Sequence, residues 1–261
     1  MSLLKSKKGK LQKLVAVLVC RNNGTRLYGK PLQLIDLQAH VRILDLIITN
    51  LKKFSIIEEI VLGIAEGTEN LIYRDIAESH GISHIFGSEH LVSERYLLAA
   101  EHAKANHIFR VTTECPFVWG EGLEDAYTKH LNEDYDATLI WNIVDGAEFE
   151  IYSIATIQKI NQEASLYEKE HFSLYLRNNP SQFKINRILP PEELIREDIR
   201  LTVDNPEDLI FCREIYSILK KKNISMSLHN ILKLLDENPN MINIIKPFLT
   251  RGHEMMRYWN E

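Results

Sequence analysis

Three cations fall within one short stretch, Arg21, Arg26 and Lys30, interleaved with Gly24 and Gly29. Glycines let a backbone turn tightly and present its N–H groups. With Arg forks and a Lys point charge, such a loop suits a triphosphate. Gly24, Gly29 and Lys30 have the spacing of a P-loop, but Pro31 stands where that loop needs Ser or Thr. The Gly-x-Gly-x-x-Gly fingerprint is absent too. Taken alone, the residues allow a phosphate grip or a solvated basic turn. Position favours the grip, because the loop directly follows Leu14–Cys20, a continuous apolar run expected of a strand covered on both faces. Farther on, Glu148 and Glu150 alternate, so on a strand they share a face. Two like charges side by side call for a cation or a substrate partner. The alternative is a solvated strand face.

Strand and helix patterns alternate along the rest of the chain. The periodicity predicts helices over 40–54, 70–80, 93–105, 123–131, 154–163, 168–178 and 206–221. It predicts strands over 59–64, 81–86, 107–112, 137–142, 146–153, 183–189 and 199–203. Asn205 is a plausible cap for the helix at Pro206. Alternation of this kind implies an α/β fold, a mostly parallel central sheet with helices on both faces. Ligands of such sheets sit beyond the C-terminal strand ends. One domain over 13–221, with a β excursion near 141–190, is the simplest organisation. Helical segments at 227–235 and 241–249 form a C-terminal extension over 222–261, where Tyr258 and Trp259 are apolar for a free tail.

The 261 residues are 45% hydrophobic, enough to bury a large core, and carry a formal net charge of −5. That balance offers no basic face for a nucleic-acid polymer. Cys20, Cys115 and Cys212 are odd in number and widely spaced, so neither a disulfide framework nor a zinc site is expected. The longest apolar run is too short to span a membrane. The basic start, Met1 to Lys13, lacks the apolar stretch of a signal peptide. A soluble, cytoplasmic protein is the expectation.

Arg21-x-x-x-Thr25-Arg26-Leu27-x-Gly29-Lys30 resembles the signature of cytidylyltransferases that activate sugars, of the spore-coat polysaccharide type. Those are related to acylneuraminate and 3-deoxy-manno-octulosonate cytidylyltransferases. Further blocks match in order: Gly87-Ser88-Glu89 with Glu94-Arg95-Tyr96; Arg110 to Pro116; Gly146 to Glu150; Tyr167 to His171; and Arg200 to Asp208.

The resemblance implies a nucleotide-diphospho-sugar transferase-like, Rossmann-like fold. It implies that CTP and a sugar acid or phosphosugar give an activated sugar and pyrophosphate. The nucleotide's phosphates would be held by Arg21, Asn22, Asn23, Gly24, Thr25, Arg26 and Lys30, with Lys30 and Arg21 as catalytic cations. Mg²⁺ would sit between Glu114 and Asp204, although Asp204 also reads as part of a helix start. Glu148 and Glu150 fall to the sugar side or to a second metal. His171 either faces substrate or is a buried, hydrogen-bonded histidine. Arg95 either reaches the nucleotide or pairs with Glu94 or Glu89 at the surface. The family tends to dimerise through the excursion, so a homodimer is expected.

Several positions depart from the family pattern. Glu114 and Glu94 replace Asp, Asn23 and Gly24 replace Gly and Ser, and Tyr28 replaces Pro. His90 and Leu91 stand for acidic residues, and Phe117-Val118-Trp119 for Leu-Ile-Asp. A longer acid at 114 strains Mg²⁺ geometry. The competing readings are therefore a non-catalytic nucleotide- or sugar-binding relative and a glycosyltransferase-like protein.

Overall fold

The computed structural model describes residues 12–24 and 26–249. Thr25 and the segment carrying Tyr258 and Trp259 lie outside them. Leu14–Cys20 forms β1. Its alternate side chains feed two different cores, Leu14, Ala16 and Leu18 on one face and Val15 and Val17 on the other. This is why the run shows no polar alternation.

Leu34–Asp36 (β2) and Val41–Arg42 (β3) pair antiparallel as a separate small sheet. The other strands are Ile57–Ala65 (β4), Ser83–Gly87 (β5), His107–Arg110 (β6), Ala137–Ile140 (β7), Glu150–Ser153 (β8) and Ile185–Ile188 (β9). With β1 they make one sheet in the order β5-β4-β1-β6-β8-β7-β9. Only β8 runs against the rest, antiparallel to both β6 and β7.

Five helices pack over one face: Ile43–Leu51 (α1), Ile72–His80 (α2), Leu123–Glu133 (α4), Pro206–Lys221 (α8) and Leu228–Glu237 (α9). Val92–His102 (α3), Ile154–Glu163 (α5) and Leu174–Asn178 (α7) cover the other. Leu166–Glu170 (α6) lies beside α3. Asn205 caps α8 as expected, with Pro206 at the first position. The capping acid is Asp208, whose Oδ2 accepts from Asn205 N at 2.8 Å.

Several boundaries differ from the sequence expectation. The helix predicted from His40 begins only at Ile43, because His40 takes a left-handed φ of 53° and Val41–Arg42 pairs with β2. The stretch 168–178 is two short helices, broken at His171 to Ser173. The stretch 141–190 contributes β8 and β9 to the main sheet, with helices between them. Residues 199–203 are extended but form no strand. Their only ladder contact is a bridge between Arg200 and Asp145, with Leu201 N donating to Asp145 O at 2.7 Å. Beyond α9, the helical segment expected over 241–249 is two 3₁₀ helices, Pro239–Ile244 and Lys246–Phe248, in place of one α-helix.

Gly146 sets the approach of these two segments. Its φ is +87°, and a Cβ there would collide with Thr202 N and lie 2.7 Å from the Leu201 carbonyl carbon. Gly146→Ala is expected to cost at least about 2 kcal/mol, from left-handed strain and backbone collision together. Urea unfolding of the variant against the parent measures it.

Candidate active site

The Arg21–Lys30 loop leaves the C-terminal end of β1 and is closed at its base by Gly29 N donating to Asn22 O at 2.8 Å. Asn22 is buried and fully engaged. Its N–H donates to Asn70 Oδ1 at 2.8 Å, its amide reaches Glu69 O, and Tyr73 Oη donates to its Oδ1 at 2.8 Å. Asn22 therefore positions the loop and does not itself present a side chain to phosphate. A Cβ at Gly24 would strike the Leu27 carbonyl, so this turn requires glycine. Asn23 is exposed and donates to Glu89 Oε1 at 2.8 Å. Arg21 reaches Glu170 of α6 at 3.3 Å.

The loop's other cations converge on one carboxylate. Lys30 Nζ lies 2.5 Å and Arg26 Nη2 2.9 Å from Asp204 Oδ1. Arg200 Nη2 holds Oδ2 at 2.8 Å. Burial alone would raise the Asp204 pKa, but the charges of Lys30, Arg26 and Arg200 outweigh it and hold the group below the usual range. Arg200 is itself anchored: its Nε is 3.1 Å from Asp208 Oδ1 and its Nη1 donates to the Phe248 carbonyl at 3.1 Å. Asp204 is thus the hub of the cation cluster, while the cap of α8 is Asn205 with Asp208.

The backbone of Glu114 adjoins the residue before Asp204, Val203 N donating to Glu114 O at 2.9 Å. Among the described residues, no hydrogen bond to its carboxylate is present. Asp145 and Glu148 lie next along, on the loop bridged to Arg200. Burial, then the Asp145 charge, pushes the Glu148 carboxyl up. Burial raises Asp145 as well, with Arg200 opposing and Asp204 adding to the rise. Asp145 is the acid that sequence reasoning missed. Its signal was slight, the residue directly before Gly146.

Other expected site residues are placed differently. Glu150 is no solvated strand residue. It is 5% exposed and accepts from Arg110 Nη1 at 2.6 Å and Tyr152 Oη at 2.9 Å. Burial opposes the Arg110 charge, but Glu150 more than compensates and lifts its pKa. Glu150 and Arg110 therefore brace β6 against β8. Glu148 precedes that strand and bonds back to Gly146 N at 2.8 Å, so the two glutamates do not share a strand face. His171 is exposed, its ring edge-on to Tyr167, which corrects the expectation of a buried histidine. Trp119, at the position of a family acid, is in the core, stacked over Phe149 at 6.3 Å.

Arg95 is neither a surface ion-pair partner nor open to nucleotide. It is 1% exposed, and its Nη1 donates to Cys20 O at 3.2 Å and Gly63 O at 3.0 Å. A Cβ at Gly87 would come within 2.9 Å of its Cγ, which explains the glycine before Ser88-Glu89. Arg95 ties the end of β1, and so the root of the loop, to β4. Arg95→Met is expected to destabilise the fold by about 1–3 kcal/mol for each orphaned carbonyl. Urea unfolding checks it, with the loss of nucleotide affinity exceeding any loss of turnover at saturation.

Three comparisons with known proteins bear on this arrangement. A model of the cytidylyltransferase family matches residues 15–238. The spore coat polysaccharide biosynthesis protein SpsF of Bacillus subtilis is 27% identical over 232 residues, 87% of this chain and 95% of that one. An uncharacterized protein of Methanocaldococcus jannaschii is 28% identical over 235 residues, 89% of this chain and 94% of that one. Among solved structures, a cytidylyltransferase from Leptospira borgpetersenii superposes with a TM-score of 0.79 at 24% identity, covering 88% of this chain and 97% of its own. A CMP:2-keto-3-deoxy-manno-octonic acid synthetase complexed with CTP gives 0.61 at 14% identity, covering 79% and 99%. At these identities the structures speak for the fold. The family match, over a loop and strand-end cluster built as described, carries the assignment: the chain belongs to the cytidylyltransferase family of nucleotidyltransferases.

Proposed function

We propose that the protein transfers the CMP portion of CTP to a sugar acid or phosphosugar. The acceptor oxygen attacks the α-phosphorus, the α–β phosphoanhydride bond breaks, and pyrophosphate leaves. A sugar-acid hydroxyl gives a CMP-sugar and a sugar phosphate gives a CDP-sugar. The observation that carries the reading is the convergence of Lys30 and Arg26, from the loop after β1, with Arg200 on Asp204. Displacement at phosphorus asks for charge neutralisation on the leaving group and for in-line positioning. Lys30 and Arg26 are the groups that would neutralise it, while Arg21, turned toward Glu170, would join them from the same loop.

The family match supports nucleotidyl transfer, and the products made by proteins of this fold and by a curated relative suggest the acceptor class. One makes CMP-2-keto-3-deoxy-manno-octonic acid, another is a 4-diphosphocytidyl-2C-methyl-D-erythritol synthase, and SpsF serves spore coat polysaccharide synthesis.

Glu114 and Asp204 would hold Mg²⁺. The pair fits a hard ion, being all oxygen and on adjoining segments. Among the described residues no set of three or more His, Cys, Asp or Glu side chains forms a cage. That also fits, because Mg²⁺ in nucleotide sites takes one or two carboxylates and completes its shell with phosphate and water. When bound, the ion polarises phosphoryl oxygens and orients the reactants.

The test is pyrophosphate release from CTP and Mg²⁺ with a panel of sugar acids and sugar phosphates. Release with at least one acceptor is expected, and its absence with every acceptor and every nucleotide overturns the reading. The extra methylene of Glu114 favours a second reading, a binding protein without turnover. That reading predicts nucleotide binding but no release, even in Glu114→Asp.

A further inference from the structure

Both halves of Asp204 are engaged, and by different kinds of partner. Oδ2 is held by Arg200, whose side chain is 3% exposed and tied down by Asp208 and the Phe248 carbonyl. Oδ1 is shared by Lys30 and Arg26, which come from the glycine-containing loop and remain 18% and 39% exposed. One oxygen thus sits on a fixed cation, the other on cations carried by a loop. Lys30 and Arg26 are also the cations the loop would offer to an entering phosphate.

We propose that Asp204 serves as an internal anion that occupies Lys30 and Arg26 until the pyrophosphate end of a substrate displaces it. Arg200 keeps Asp204 in place through the exchange, so only the Oδ1 contacts are released. A charged carboxylate at 2.5–2.9 Å from two cations competes directly with a phosphate oxygen for the same N–H donors. The exchange gives the site two consequences. A single phosphate-bearing anion meets opposition, so metal-free binding is weak. The exchange also frees a carboxylate oxygen of Asp204, one of the two residues that would hold the metal. The inference rests on reading the loop as a triphosphate grip, but not on cytidine or on any acceptor.

Inorganic pyrophosphate is the probe, titrated calorimetrically in the presence of a chelator so that no divalent ion takes part. Asp204→Asn keeps the size and hydrogen-bonding reach of the side chain and removes its charge. Its metal-free affinity for pyrophosphate is expected to rise about tenfold or more over wild type. The double variant Asp204→Asn with Lys30→Met is expected to lose that gain. An affinity in Asp204→Asn equal to or below wild type overturns the proposal, and so does a gain that survives loss of Lys30.

If the buried Arg200 without its counter-charge unfolds the variant, seen by circular dichroism, wild-type crystals soaked in pyrophosphate decide. Lys30 Nζ leaving Asp204 Oδ1 for a pyrophosphate oxygen supports the exchange. Lys30 remaining on Asp204, or no pyrophosphate at Lys30, refutes it. Tighter pyrophosphate binding in Asp204→Asn, beside a wild-type protein that releases no pyrophosphate from CTP, would separate a failure of the cytidylyltransferase reading from a failure of this one.

Discussion

Lys30→Met is expected to lower kcat about 10²–10³-fold while leaving the protein folded, the scale seen when one preorganised charge-stabilising donor is removed. Lys30 is part-exposed and its contact in the fold is Asp204, which keeps Arg26 and Arg200 when Lys30 is lost. The folding cost is therefore small. The catalytic cost is expected to be large, because in the proposed reaction a cation at the leaving pyrophosphate acts as charge develops there. Lys30→Arg restores charge with a different fork and is expected to recover part of the rate. Pyrophosphate release at saturating nucleotide, with thermal unfolding as control, measures both. A Lys30→Met variant within twofold of wild type would remove Lys30 from the chemistry.

The second large effect is on stability against pH. His130 and His107 form a buried polar chain: His130 Nε2 lies 3.0 Å from His107 Nδ1, and His130 Nδ1 lies 2.9 Å from Thr138 Oγ1. Burial lowers the pKa of His130 to about 3, with the His107 charge adding to the fall, and burial lowers that of His107 to about 4. In the unfolded chain both titrate near 6.5. Their contribution to stability is full above pH 6.5 and is lost as pH falls toward 4, because the unfolded state takes up protons that the native state refuses. The loss is on the order of 3 kcal/mol for the first proton refused.

Asp145 and Glu148 act with the opposite sign. Their raised values make the native state bind protons first, so their contribution grows as pH falls and is lost as pH rises. The two effects offset each other in wild type, so variants separate them. His130→Gln is expected to be less stable than wild type at pH 7.5, with the difference shrinking or reversing by pH 5. Glu148→Gln is expected to be more stable than wild type at pH 8, with the advantage gone in acid. Urea midpoints across this range test both. A difference between His130→Gln and wild type that does not change with pH would sink the first assignment.

Much of this was legible in the residues. The apolar run Leu14–Cys20 had to be an internal strand, and a loop with three cations and two glycines after it had to lie at a strand end, where α/β sheets bind ligands. Asn205-Pro206 announced α8, and the order of motif blocks announced the family. These are local or sequential properties, and composition and spacing carry them directly.

The partners of each charge were not legible, because contacts between distant residues are set by topology. Lys30 and Asp204 are separated by most of the chain and meet only because the fold brings the loop after β1 to the 199–204 segment, which is itself bonded to Asp145 and Glu114. Arg95 read as a nucleotide contact or a surface ion-pair partner of Glu94 or Glu89, yet it is buried under the root of the loop, in close approach to Gly87. Glu150 alternated with Glu148 as an exposed strand would, but β8 is inserted antiparallel between β6 and β7, and this encloses Glu150 with Arg110. The sequence by itself determined that the chain carries a cationic, glycine-containing loop at a strand end of an α/β sheet. Only the tertiary structure decided that the loop's cations rest on Asp204, since that depends on which distant segments become neighbours.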